Sequence, residues 1–189
     1  MAIERRDSID GDPERVVAAA RAGAPWALEH VYRTLAPAVA GFFRGQGVDD
    51  PNDLTSEVFV GVLRNLGWFD GDASSFRSWV FTIAYRRLAD ERRRRVRRPP
   101  PVPLADRPEP AAPGDAHSEV ERLLAAERVR ALCERLVPAQ RDVLLLRLFG
   151  DLTVDQVAET VGKSRAAVKA LQRRGYALIA RLLDEGVTP

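Results

Sequence analysis

The sequence predicts an all-α protein of two small helical domains joined by a flexible proline-rich linker, and three observations predict it. Apolar residues recur at helical spacing on both sides of the middle of the chain, and no stretch alternates with the period of two that marks a strand. Residues 98–118, "RPPPVPLADRPEPAAPGDAHS", hold seven of the 13 prolines and almost no large apolar side chain, the composition of an extended polar connector. Near the C-terminus two short helical patterns flank a single glycine, the layout of a helix-turn-helix. The expected divisions are a tail at 1–12, a first domain at 13–98, a linker at 99–118 and a second domain at 119–187.

In the first domain, "DPERVVAAARAG" predicts a short helix with Pro13 in its first turn and Gly23 at its end. "APWALEHVYRTLAPAVAGFFRGQG" sets Leu28, Val31, Tyr32 and Leu35 on one face, and Pro37 is expected to kink or divide it. "NDLTSEVFVGVLRNLG" aligns Leu54, Val58, Val62 and Leu66, with Asp53 and Glu57 on a polar edge. The fourth helix is expected to start at Ser74 or Ser75 and to bury Phe76, Trp79, Val80, Ile83 and Ala84. Phe81 and Tyr85 fall off that stripe, toward Ser78, Thr82 and Arg92. There they could stack on an unpaired base or pack against a neighbouring helix, and the residues alone leave both open.

In the second domain, "SEVERLLAAERVRALCERLV" reads as a helix, and Pro138 suits the first turn of "PAQRDVLLLRLFG". Thr153 and Gln156 have capping-box spacing, so a helix runs from Val154 to Val161 and buries Val154, Val157, Ala158 and Val161. Gly162 and Lys163 make the turn, and Ser164 caps a helix that buries Val168, Leu171, Gly175, Leu178 and Leu182. The outer face of that helix carries Ser164, Arg165, Lys169 and Arg173, with Arg174 beside them. Arginine and lysine donate to guanine edges or to phosphate, and the second helix of such a motif enters the major groove, so these residue types fit DNA binding.

Charge and composition narrow the function classes. The formal net charge is only +2, yet Arg77 to Arg98 hold nine arginines against Asp90 and Glu91, a local net of +7. Lys163, Arg165, Lys169, Arg173, Arg174 and Arg181 form a second cluster with no acid until Asp184. Two basic surfaces suit two contacts with one polyanion, whereas a single arginine run can equally be a solvated helix end. No run approaches the roughly 18 apolar residues of a spanning helix, and the N-terminus is too charged for a secretory signal, so a cytoplasmic protein without membrane insertion is expected. One cysteine, Cys133, and two histidines, His30 and His117, give no internal disulfide and no zinc cluster. No phosphate-cradling loop or nucleophile–histidine pair is present, so neither catalysis nor a cofactor is expected.

These segments, in this order, resemble the extracytoplasmic-function (ECF) group of RNA polymerase sigma factors, within the sigma-70 family. "AARAGAPWALEHVYRTLAPAV" is similar to the family's opening helices, "DLTSEVFVGVL" to its polymerase-binding helix and "FRSWVFTIAYRRLADERRRR" to its promoter-melting helix. "LVPAQRDVLLLRLFGDLTVDQVAETVGKSRAAVKALQRR" is similar to its C-terminal DNA-binding domain. The resemblance implies a region-2 helical bundle and a region-4 helix-turn-helix that together direct promoter-specific initiation, while the polymerase performs catalysis. Asp53, Leu54, Glu57 and Val58 then bind the beta-prime clamp helices of core polymerase. Asp72, Ser74 and Ser75 in the loop "DGDASS", with Phe81, Thr82, Tyr85, Arg86 and Arg92, face the -10 element and capture a flipped base. Ser164, Arg165, Lys169, Arg173 and Arg174 read the -35 element, and that domain docks on the beta flap. An anti-sigma factor is the further implied partner. Thr82, Arg86 and Leu171 depart from the residues common at those positions, as does Ser56 on the polymerase-binding helix, so base preference is not carried over. A plain regulator outside the holoenzyme is the rival reading, and it would need neither the "DLTSEVF" nor the "FRSWVFTIA" segment.

Overall fold

The computed structural model describes residues 12–97 and 129–185, so the linker expected at 99–118 lies outside the described residues, as do the tail up to residue 11 and most of the helix expected at 118–137. Every described element is helical. Helix α1 spans Pro13–Arg21, where the Asp12 carboxylate accepts from the Glu14 amide and Pro13 fills the first turn, which lacks amide partners anyway. Gly23, at φ +78°, supplies the left-handed turn into α2.

Helix α2, Pro25–Gly45, is continuous through Pro37, which neither divides nor ends it. Pro37 lies on the exposed side, so the carbonyl it strips of a partner, that of Arg33, sits on the wet face. The opposite face buries Ala27, Val31, Leu35, Val39, Phe42 and Phe43, and that packing outweighs the missing bond. Tyr32 departs from the expected buried face: it is half exposed, its ring edge-on to Phe59 at 4.8 Å. Asp50 caps α3, Pro51–Asn65, by accepting from the Asp53 amide at 2.9 Å. A short 3₁₀ turn, Leu66–Trp68, follows.

Helix α4 spans Ala73–Arg97, and its cap differs from expectation. The Asp72 carboxylate takes the Ser75 amide at 2.8 Å and both serine hydroxyls, Ser75 at 2.7 Å and Ser74 at 3.0 Å. Those bonds, the Ser75 hydroxyl foremost, hold the Asp72 carboxyl below its usual range. Ser74 and Ser75 therefore lie inside the first turn. Phe76, Val80, Phe81, Ala84 and Leu88 are buried, more than one helical stripe accounts for, because α4 is covered on two sides.

A helix α5, described over 129–134, leads to α6 at Pro138–Leu148. Helix α7, Val154–Val161, carries both bonds of the capping box, Gln156 amide to Thr153 hydroxyl at 3.2 Å and Thr153 amide to Gln156 side chain at 2.8 Å. Gly162 turns the chain at φ +64°, and Ser164 caps α8, Arg165–Asp184, by accepting from the Ala167 amide. Gly175 lets α8 approach α6, since a Cβ there would strike Leu144.

The two helical regions, α1–α4 and α5–α8, share one buried core in which Phe42, Phe81 and Leu88 meet Leu145, Leu146, Leu152 and Val157. Close approach across this seam relies on absent side chains: a Cβ on Gly41 would overlap Phe149, and one on Gly45 would overlap Leu145.

Candidate nucleic-acid interface

The outer face of α8 follows from its inner one. Val168, Gly175 and Leu182 are buried against α6 and α7, which turns Arg165, Lys169, Arg173 and Arg174 to solvent. Among the described residues, Lys169, Arg173 and Arg174 make no hydrogen bond or ion pair, so phosphate or base contact would break no existing one. Arg165 is engaged, its Nε 2.5 Å from Asp155 on α7. Ser164 spends its hydroxyl on the cap of α8.

The expected -10 residues divide into two groups. Arg86 is exposed and, with Asn65, Trp68, Trp79 and Ile83, lines a groove of about 240 Å³. Trp68 is 88% exposed at its rim, and Trp79 leans on Phe69 and Phe76 with ring centroids 5.0 and 5.7 Å away. Asp72, Ser74 and Ser75 lie at the start of the same helix, with Asp72 and Ser74 exposed. The second group faces the seam. Phe81 is fully buried, edge-on to Phe42 at 6.0 Å, which corrects the expectation that it points outward. Thr82 meets Thr160 of α7, hydroxyl to hydroxyl, at 3.2 Å.

Tyr85 and Arg92 reach a buried acid that no sequence motif marks. Asp142 on α6, 5% exposed, accepts from the Tyr85 hydroxyl at 3.2 Å, from both terminal nitrogens of Arg92 at 3.1 and 2.8 Å, and from Gln46 at 3.0 Å. Arg92 also donates to the Gln46 side-chain carbonyl at 2.8 Å, which closes the network. Burial, then the Asp142 charge, pushes the Tyr85 phenol up to about 12. Nearby, Arg77 donates to the carbonyls of Gly150 at 2.7 Å and Phe149 at 2.9 Å, filling acceptors that the end of α6 leaves open, and burial lowers its pKa.

On α3, Asp53 is exposed and Glu57 half exposed, the latter 3.7 Å from Arg87 and 3.9 Å from Arg94. Leu54 and Val58, expected beside them as polymerase contacts, are buried and support the surface from below. The apolar groups that α3 does present are Val60 and Leu63, 45% and 54% exposed. Sequence reasoning missed these two along with Trp68, Trp79 as a groove wall, Gln46 and Asp142. The available signals were a tryptophan outside every helical stripe and a lone acid opening the apolar run "DVLLL".

Residues 30–98 match the family described as Sigma-70 region 2, and residues 134–178 match Sigma-70, region 4. The chain is 32% identical over 189 residues to the ECF RNA polymerase sigma factor BldN of Streptomyces coelicolor, across 96% of this chain and 70% of that protein. The chain belongs to the ECF sigma factors. As a sigma factor it binds core RNA polymerase and directs promoter-specific transcription initiation. This ECF sigma factor is also similar to SigD of Mycobacterium tuberculosis, 29% identical over 182 residues, 91% of this chain and 82% of that one. Its fold is similar to CnrH, solved in complex with the cytosolic domain of CnrY, with a TM-score of 0.67 at 24% identity, over 92% of this chain and 99% of that one. No helix among the described residues is long and apolar enough to cross a membrane.

Proposed function

We propose that the sigma factor divides promoter recognition between two surfaces. Lys169, Arg173 and Arg174 on α8 contact the -35 element in the major groove, aided by Arg165 once it leaves Asp155. The groove between Trp68, Trp79 and Arg86 receives an unstacked non-template base of the -10 element: aromatic walls suit a flat ring and the guanidinium suits its phosphate. Separating base pairs costs roughly 1–2 kcal/mol per stacked step, which stacking and arginine contacts offset. This is binding work, and the chain itself makes or breaks no bond.

The polymerase grip is assigned to Asp53 and Glu57 with the exposed Val60 and Leu63, an acidic and apolar edge fitted to the beta-prime clamp helices. The second region docks on the beta flap, and an anti-sigma factor masks these surfaces in the cytoplasm. The boundaries 13–98 and 119–187 correspond to the two binding units. The observation that carries the reading is the row of exposed cations, Lys169, Arg173 and Arg174, without a partner among the described residues, on the second helix of a capped helix-turn-helix.

Run-off transcription from pooled genomic promoter fragments, with core polymerase plus or minus this protein, tests it. New transcripts sharing two upstream motifs are expected. DNA binding without transcripts, given an active core enzyme, would return the chain to a regulator outside the holoenzyme.

A further inference from the structure

The groove beside α4 holds one hydrogen-bond acceptor among side chains that only donate or stack. Asn65, the last residue of α3, is exposed and lines the groove with Trp68, Trp79, Ile83 and Arg86. Its Nδ2 donates to the Gly61 carbonyl, one turn earlier, at 2.8 Å. That bond fixes which end of the amide is which, since turning it over would set oxygen against oxygen. Asn65 Oδ1 is therefore the free end, and no donor among the described residues reaches it. Gly61 holds the amide close to the groove wall, because a Cβ at Gly61 would lie 3.4 Å from Ile83 Cγ2.

The other polar groups of the groove cannot accept. The Arg86 guanidinium carries donors alone, and each indole offers a single N–H. A base that stacks between them must itself supply the hydrogen that Asn65 Oδ1 takes, or leave that oxygen without the water it has lost. Exocyclic amino groups meet this need: they stand clear of the ring with two N–H bonds, one for Asn65 and one for solvent. Adenine, cytosine and guanine each carry one, and thymine does not. Thymine has only a ring N–H set between two carbonyl oxygens, and both oxygens would meet Asn65 Oδ1 with the same sign of partial charge.

We propose that Asn65 determines specificity in this groove and selects a base bearing an amino group, adenine, cytosine or guanine, over thymine. This rests on the reading of the groove as the seat of an unstacked -10 base. The two polar side chains then divide the work: Arg86 holds a phosphate whatever the sequence, and Asn65 reads the base. The base preference, which the departures at Thr82 and Arg86 leave open on α4, is thus set from the end of α3.

The test uses holoenzyme assembled from core polymerase and the full-length chain, with labelled single strands of the -10 element taken from the run-off transcripts. Each position in turn carries dC or dU, which differ in the amino group and the adjoining ring nitrogen and both lack the methyl of thymine. Fluorescence anisotropy reads the ratio of the two affinities, so any general weakening of the protein divides out. At one position the wild type should bind dC about fivefold more tightly than dU, the worth of one net hydrogen bond. Asn65→Ala should abolish that preference, and Trp68→Ala should weaken both strands. No preference for dC at any position, or one that survives Asn65→Ala, overturns selection by Asn65; if Trp68→Ala still weakens both strands, the groove stands as the base site. Full affinity in Trp68→Ala sinks the groove reading and the inference with it. Should Asn65→Ala fail to join core polymerase, Asn65→Leu, similar in shape but without the oxygen, decides by the same ratio.

Discussion

Tyr85 shows how one side chain records the state of the molecule. Its phenol donates to Asp142, and burial raises its folded pKa to about 12 from the ordinary value of 10. The folded state thus holds the proton more tightly: the stabilisation is complete below pH 10 and is lost as pH rises toward 12. Ultraviolet titration of the native protein should show a tyrosinate component near pH 12 that is absent from Tyr85→Phe. That variant also forfeits a hydrogen bond to a charged acceptor, an expected cost of about 1.5 kcal/mol in denaturant unfolding. Asp72 behaves with the opposite sign. Its carboxyl is depressed by Ser75 and Ser74, so its contribution is present above a pH of about 4 and fades as pH falls through the folded value. The gap in melting temperature between wild type and Asp72→Ala should shrink accordingly in acid; a gap independent of pH would show that the cap does not act through the charge. Neither residue's chemistry could be read from its neighbours in sequence alone: Asp72 competes with two serines for the cap, and Tyr85 meets its acid 57 residues away.

At the scale of elements, local signals and packing contribute separately. The capping box of α7, the αL glycine after it and the Ser164 cap of α8 are all legible, because each interaction spans only a few residues. Thr153→Ala should cost about 1 kcal/mol, read as a shift in denaturation midpoint without change in slope. Pro37 defeats its local rule for the complementary reason: a preference of one residue meets a 21-residue helix whose apolar face is buried along its length. On α8, Lys169→Ala with Arg173→Ala should leave stability within about 0.5 kcal/mol, since both side chains are exposed and have no partner among the described residues. Affinity for -35 duplex should fall, and the slope of log affinity against log salt should drop by about 1 for each phosphate that is no longer neutralised. Binding to core polymerase should be unchanged; a parallel fall in both would mean that these residues support the fold.

At the scale of the whole molecule, the shared core makes closure a thermodynamic property. With the seam closed, the two regions should unfold in one calorimetric transition, and Asp142→Ala should split it in two as each region melts alone. Two transitions already in the wild type would mean that the seam contributes little. The helices, the caps of α7 and α8, the basic face of α8 and the family were available from residue order, because periodicity and capping are encoded within one or two helical turns. Which side of α4 is covered was not available. Phe81 and Trp79 are both aromatic and sit two residues apart on one helix, so they point to different sides of it. Only the arrival of α6 and α7, from residues some 60 to 80 positions later, buries Phe81 and leaves Trp79 to line the exposed groove. The same long-range packing gave Asp142 its partners, since a buried charge is tolerated only where distant side chains complete its hydrogen bonds.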